Sequence, residues 1–75
     1  MKLDDLRGCN GIRIVYADGR GEWLRVLDLG RTLDRTVAVA AVARADGTPA
    51  SIALQERDDT VQVEGDGTVV AYSKP

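Results

Sequence analysis

The residue types that carry most enzyme chemistry are scarce in this sequence. Catalysis at neutral pH generally uses a nucleophile beside a base, a carboxylate pair with tuned pKa values, or a metal ion. The chain has no histidine and one cysteine, Cys9, so an intrachain disulfide and a Cys/His zinc site are both excluded. Asp58 and Asp59 are adjacent, and adjacent side chains diverge on an extended chain. We therefore predict a protein that is not an enzyme, with no catalytic residues, no metal site and no cofactor.

Cys9 and the glycine-bearing turns have structural interpretations. A single thiol just before an apolar strand is typical of a small buried hydrophobe, and Cys9 has no neighbouring base in the sequence that would activate it. Gly19-Arg20-Gly21 and Gly65-Asp66-Gly67 contain glycines, but neither opens a helix as a phosphate-binding loop must. We expect Cys9 to pack near the first strand and both glycine segments to be hairpin turns.

One part of the chain has the composition of a binding surface. Arginine beside an exposed aromatic residue is typical of interface hot spots, and the guanidinium group forms forked contacts with carboxylate or phosphate. Two alternatives remain open: Trp23 belongs to the core, or the arginines pair with Glu22, Asp28 and Asp34. The predicted partner-binding residues lie around the first hairpin and in the segment after the second strand: Arg20, Trp23, Arg25, Arg31 and Arg35.

The charge balance favours one class of partner. Ten basic and twelve acidic residues give a net charge of −2, and the aromatic residues are one Trp and two Tyr. Nucleic-acid-binding proteins are usually basic, and a long single-stranded platform stacks bases on more rings than these. We therefore predict a protein partner, with a short nucleic acid or nucleotide as the less favoured possibility.

Membrane insertion is not expected from the sequence. The longest apolar run covers residues 37–43 and is rich in alanine, whereas a membrane span needs roughly 18 apolar residues. The first residues include Asp4 and Asp5, and signal peptides avoid acids near their start. We expect a cytoplasmic protein with no membrane partner.

The turns predict the elements that position these residues. Asp18-Gly19, Asp46-Gly47 and Asp66-Gly67 each lie between β-branched segments. Asp-Gly is the strongest short-range hairpin signal, because Asp tolerates left-handed backbone and Gly adopts it without steric strain. Alternating apolar residues then predict six strands, which cover residues 12–17, 22–29, 37–44, 50–55, 60–64 and 68–72.

The alternation also predicts which side chains face the core. We expect Ile12, Ile14 and Tyr16 to share one face of the first strand. In the later strands the predicted inward residues are Ile52, Leu54, Val61 and Val63.

The remaining segments are predicted as one helical turn and two loops. Residues 3–7 predict a turn or two of helix that ends at Gly8, with Leu3 and Leu6 packed on the sheet. Residues 30–35 and 56–59 are polar apart from Leu33 and are predicted to be solvated loops. Pro49 falls at the start of the fourth strand, where a missing N–H donor does little harm.

Length and strand spacing together predict the fold. Short strands with turns every roughly 8–12 residues are typical of a sandwich or barrel, and closure removes the exposed edges of a small sheet. A chain of 75 residues has room for one hydrophobic core. We predict a mostly β fold in which residues 1–75 form a single domain, a small SH3-like or Sm-like barrel of five to six antiparallel strands, with or without a short N-terminal helix.

Two stretches resemble the WYL-type ligand-sensing domains of bacterial regulators, which have an Sm-like barrel. Residues 12–22 are similar to that family's opening hairpin, a strand ending in Tyr followed by a polar turn, and residues 39–63 are similar to it in strand order and spacing. Val and Ala occupy residues 37–39, where the family carries Trp-Tyr-Leu, and Ser51 or Ala53 stands where it carries an arginine. The small Rho-inhibiting Sm-like proteins are similar in size and strand order. Both resemblances imply an Sm-like barrel.

Two functions follow as hypotheses from these features. The first is a non-enzymatic binding or regulatory module that docks to a protein. The alternative is a structural subunit that forms homo-oligomers through its barrel edges, as Sm-like proteins do.

Overall fold

The computed structural model describes residues 1–31 and 36–75, with Arg31 described by its backbone. Six antiparallel strands follow one another around a closed barrel, in which the last strand pairs with the first. This confirms the predicted mostly β barrel and all six predicted strands. The strands are β1 (Gly11–Tyr16), β2 (Gly21–Arg31), β3 (Val37–Ala43), β4 (Pro49–Arg57), β5 (Thr60–Val63) and β6 (Gly67–Ser73).

The predicted N-terminal helix is a single 3-10 turn, Leu3–Leu6. Both of its leucines are buried in the core, as predicted. The backbone N–H of Leu3 donates a hydrogen bond of 2.7 Å to Oε1 of Glu56, which ties the turn to β4. Within residues 1–31 and 36–75, no helix has the length and apolar character needed to cross a membrane.

The core consists of aliphatic side chains from every strand. Alternate residues point inward, so Ile12 and Ile14 of β1 are buried while Arg13 between them is exposed. Among the described residues no buried side chain is polar or charged. The buried hydrophobic residues are Leu3, Leu6, Ile12, Ile14, Leu24, Ala38, Ala40, Val42, Leu54, Val61, Val63 and Val69.

Two bulges explain two of the exposed apolar side chains. The β2–β3 register shifts between Val26 and Asp28, so Leu27 is the extra residue. The β1–β6 register shifts between Arg13 and Ile14, and Val70 of β6 is the extra residue. A bulge increases strand twist and bends the strand, which helps a small sheet to close. The side chains of Leu27 and Val70 are both about half exposed.

The first two Asp-Gly turns share one geometry. Both have the sequence Ala-Asp-Gly, and the glycine has a φ of +90° at Gly19 and +87° at Gly47. In each turn the aspartate Oδ1 accepts a hydrogen bond from the N–H two residues later, 3.0 Å for Asp18 and 2.9 Å for Asp46. Those N–H groups lower the pKa of both carboxyls. The turns therefore have three-residue loops with a left-handed glycine at the end.

The predicted boundaries of both loops were wrong. β2 continues through Gly30 and Arg31, which were assigned to a loop, because both residues pair with β3. β4 likewise continues through Glu56 and Arg57, so the second loop shrinks to residues 58–59, which both adopt positive φ. Residues 32–35 of the first predicted loop lie outside the described residues.

The third Asp-Gly turn lies one residue earlier than predicted. Gly65 and Asp66 have φ values of +88° and +65°, whereas Gly67 is the buried first residue of β6. A Cβ on Gly67 would lie 2.8 Å from Cγ2 of Ile14 and 3.0 Å from Cε1 of Tyr16. Gly67 is therefore needed for close packing against β1.

Candidate functional site

The length of the first hairpin loop decides which side chains share a face. The N–H of Tyr16 donates to the carbonyl of Arg20 at 2.8 Å, and the N–H of Gly19 donates to the carbonyl of Tyr16 at 2.9 Å. Residues 17–19 are therefore the loop, and Tyr16 and Arg20 close it. A loop of three residues shifts the register by one relative to a loop of the two residues Asp18 and Gly19.

This register places Trp23 outside the barrel. Trp23 pairs with Arg13, and the next residue, Leu24, pairs with Ile12 in the core. With a two-residue loop Trp23 would have been opposite Ile14, on the inner face. The Trp23 side chain is 51% exposed, so the alternative that it belongs to the core is wrong.

Three side chains form the outer surface that we call the hairpin face: Arg13, Trp23 and Arg25. Arg13 lies directly across from Trp23, and Arg25 is two residues further along β2 on the same side of the sheet. Both arginines are exposed, and neither forms an ion pair with any residue that the structure describes. Arg13 was missed in the predicted set, although the alternation in Ile12-Arg13-Ile14 shows that it faces outward.

The Trp23 ring lies against the backbone of β1. Gly11 points outward but is buried, and a Cβ placed on it would lie 3.9 Å from Cε3 of Trp23 and 2.8 Å from Oγ of Ser73. A shallow groove of about 370 Å³ runs from this ring past Arg25 to the end of β3. The groove is lined by Gly11, Trp23, Leu24, Arg25, Ala43, Arg44 and Ala45. Its open shape suits an inserted side chain better than an enclosed small molecule.

A second group, the rim cluster, consists of Tyr16, Glu22 and Arg44. The Tyr16 hydroxyl donates to Oε2 of Glu22 at 2.6 Å, and Nη1 of Arg44 donates to Oε1 and Oε2 of Glu22 at 2.8 and 3.0 Å. Glu22 pairs with the buried Ile14, so it has an inward orientation at one end of the barrel. The rim cluster is therefore a polar cover over this end of the core.

The rim cluster shifts the pKa values of its members through their mutual hydrogen bonds. The Tyr16 hydroxyl, and after it the Arg44 guanidinium, lower the pKa of Glu22. The same hydrogen bond to Glu22 raises the pKa of Tyr16. These shifts favour an ionised Glu22 and a protonated Tyr16, which agrees with a structural role for the rim cluster.

The predicted site residues fall into three places. Trp23 and Arg25 share the hairpin face, whereas Arg20 lies in the turn, where its Nε donates to Oδ2 of Asp18 at 2.6 Å. The Arg20 guanidinium also lies 5.2 Å from the ring centroid of Tyr16. The backbone of Arg31 ends β2, but its side chain and all of Arg35 lie outside the described residues.

Two further predictions concern Cys9 and the metal-ligating residue types. Cys9 is half-buried against the core, and burial raises the pKa of its thiol. Among residues 1–31 and 36–75, no three His, Cys, Asp or Glu side chains are grouped to hold a metal ion. The hairpin face provides an apolar ring and two forked hydrogen-bond donors.

No protein-family model, curated protein or solved structure matches this chain.

Proposed function

We propose that the protein is a non-enzymatic binding module that docks to another protein through the hairpin face. The observation that carries this proposal is the half-exposed Trp23 between two arginines that lack ion-pair partners among the described residues. Burying the exposed half of such a side chain removes on the order of 100 Å² of surface, which is worth about 2.5 kcal/mol. Trp and Arg are also the residues that most often dominate protein interfaces.

Other features agree with a protein partner. The net charge of −2 disfavours attraction to the phosphates of a nucleic acid. The resemblance to WYL-type domains, which belong to bacterial regulators, supports a regulatory role in the cytoplasm. A short nucleic acid or nucleotide stays the less favoured ligand.

Paired substitutions of equal exposure test the proposal. Val39 on the outside of β3 is 51% exposed, like Trp23, so Val39→Ala is a matched control for Trp23→Ala. The wild type and both variants are immobilised as baits and exposed to a cell lysate. The captured proteins are identified by mass spectrometry. We expect the wild type and Val39→Ala to capture the same specific set of proteins. Trp23→Ala should capture these proteins at least about tenfold more weakly, a loss of about 1.4 kcal/mol.

The comparison requires folded baits. Circular dichroism and the urea midpoint establish that each variant has the wild-type fold. If a folded Trp23→Ala bait captures the same proteins as the wild type, or if Val39→Ala has the same effect as Trp23→Ala, the hairpin face is not the docking surface.

A second candidate function is self-association through strand edges. β5 pairs with β4 only over residues 54–57 and with β6 only through Gln62 and Val63. Residues 49–52 of β4 and 69–73 of β6 therefore have one neighbouring strand each. Unpaired strand edges are templates for pairing with another chain. Size-exclusion chromatography with light scattering tests this candidate, because a monomer at micromolar concentration removes it.

A further inference from the structure

We infer that the partner segment recognised by the hairpin face is acidic, with carboxylates on both sides of an apolar residue that packs on Trp23. This inference rests on the proposed protein-binding function and specifies the chemistry of its partner. It is carried by the charge of the face and by the positions of Arg13 and Arg25 relative to Trp23.

The charges of the hairpin face are uncompensated. Elsewhere in the first hairpin and at the end of β3, Arg20 pairs with Asp18 and Arg44 pairs with Glu22. Arg13 and Arg25 have no such pair with any described residue. A carboxylate from a partner would complete forked, charge-assisted hydrogen bonds that this chain does not supply.

The geometry determines the pattern in the partner. Arg13 lies across from Trp23 on the neighbouring strand, and Arg25 lies about 7 Å from Trp23 along β2. Nη2 of Arg13 lies 3.7 Å from a Cβ placed on Gly21, two residues before Trp23, whereas Arg25 is two residues after Trp23. The two arginines therefore flank the ring along β2. In the bound partner segment, one apolar side chain packs on the Trp23 ring. Carboxylates within about three residues on either side of that apolar residue then reach the two arginines.

A nucleic acid is a poorer match for the same surface. A single strand would stack a base on Trp23, but its phosphates repeat along the strand and need a continuous basic track. The residues that continue the face are small and neutral, among them Gly11, Ala43 and Ala71. The overall acidic protein repels the rest of such a strand.

A display library of random 12-residue peptides tests the inference. The wild-type protein is the bait, and Trp23→Ala is the counter-selection bait, so that only peptides that need the hairpin face are kept. Trp23 is the only tryptophan in the chain, so its fluorescence reports binding at this face directly. We expect the enriched peptides to carry two or more Asp or Glu around an apolar residue and to shift the Trp23 emission to the blue.

Charge variants then separate the inference from the proposed function. The double variant Arg13→Gln/Arg25→Gln should bind the synthesised peptides at least about tenfold more weakly, and Arg57→Gln, which alters an exposed arginine of β4, should bind them like the wild type. Peptides with Gln in place of Glu and Asn in place of Asp should also bind at least about tenfold more weakly. Raising the salt from about 50 to 500 mM should weaken binding of the acidic peptides because the charges are screened.

Different failures have different meanings. If peptides depend on Trp23 but lack acidic residues, or if the double variant binds them normally, the acidic chemistry is wrong and docking at Trp23 stands. If no peptide is enriched over the counter-selection, the acidic-segment inference is overturned. If an oligothymidine of about ten nucleotides binds and is lost in the same variants, both the protein partner and its acidic segment are wrong.

Discussion

The hairpin face and the rim cluster take side chains from opposite sides of β1 and β2, and Arg44 joins the rim cluster from the turn after β3. Each combines an aromatic ring with arginine, but only the rim cluster includes a carboxylate, Glu22, that binds both of its neighbours. In the hairpin face Arg13 and Arg25 have no such partner among the described residues. Composition alone does not distinguish a binding surface from a structural cover, because the side of the sheet decides which groups meet.

The largest effect on stability is expected at the residue that follows Trp23. Leu24 is 1% exposed and lies in the core, although it is adjacent to Trp23 in the chain. Leu24→Ala should lower the free energy of unfolding by about 2–5 kcal/mol, because it deletes buried methyl groups and leaves a cavity. Urea denaturation followed by circular dichroism measures the change.

A domain of this size has only about 3–5 kcal/mol of net stability, so Leu24→Ala is expected to be largely unfolded. Ile14→Val is the milder test of the same core and should cost about 0.5–1.5 kcal/mol. If neither variant changes the urea midpoint, Leu24 and Ile14 do not lie in the core and the inner face of the hairpin has been wrongly identified.

The next effect concerns the turn that sets the register of both surfaces. Gly19 has a φ of +90°, and a Cβ added there meets no atom within 4 Å. Gly19→Val should nevertheless lower stability by about 1–3 kcal/mol, because a β-branched residue is strained at positive φ. Gly47→Val, in the matching Ala-Asp-Gly turn, should behave similarly in the same urea experiment. A neutral result at Gly19 would contradict the left-handed turn.

A smaller effect, dependent on pH, is expected from the rim cluster. The folded-state pKa of Glu22 is lowered by Tyr16 and Arg44, so its stabilising contribution is fully present above the unfolded pKa of about 4.3 and is lost as the pH falls through the folded value. Glu22→Gln should have a lower Tm than the wild type at pH 7, and the difference should shrink as the pH falls below about 4.3. Parallel Tm curves over this range would mean that Glu22 is not ion-paired in solution.

The smallest stability effect is expected at the hairpin face itself. Arg13→Gln should change the free energy of unfolding by less than about 0.5 kcal/mol, because exposed substitutions away from caps and buried networks rarely do more. Trp23→Ala should lower it by no more than about 2 kcal/mol, because only half of the ring is buried against β1. The same urea titrations check this. A loss above about 2 kcal/mol for Trp23→Ala would show that its packing over Gly11 is part of the fold, and the contrast with the rim cluster would disappear.

Most of the fold could be predicted from local signals. Alternating apolar residues and Asp-Gly dipeptides identify all six strands, because both signals act within a few residues of chain. The errors occur at strand ends: Gly30 and Arg31 extend β2 because β3 offers pairing partners across from them. Likewise Gly67 enters β6 because its missing Cβ leaves room for Ile14 and Tyr16.

The sequence by itself determined that the protein has an aliphatic core, no histidine for acid-base or metal chemistry, and an aromatic residue among arginines in the first hairpin. The tertiary structure alone decided that Trp23 and Arg25 lie outside with Arg13, while Arg20 stays in the first turn and Arg44 joins Glu22 from the turn after β3. The physical reason is the register. Side chains alternate with a period of two, so a three-residue loop in place of a two-residue loop moves Trp23 from the core to the surface.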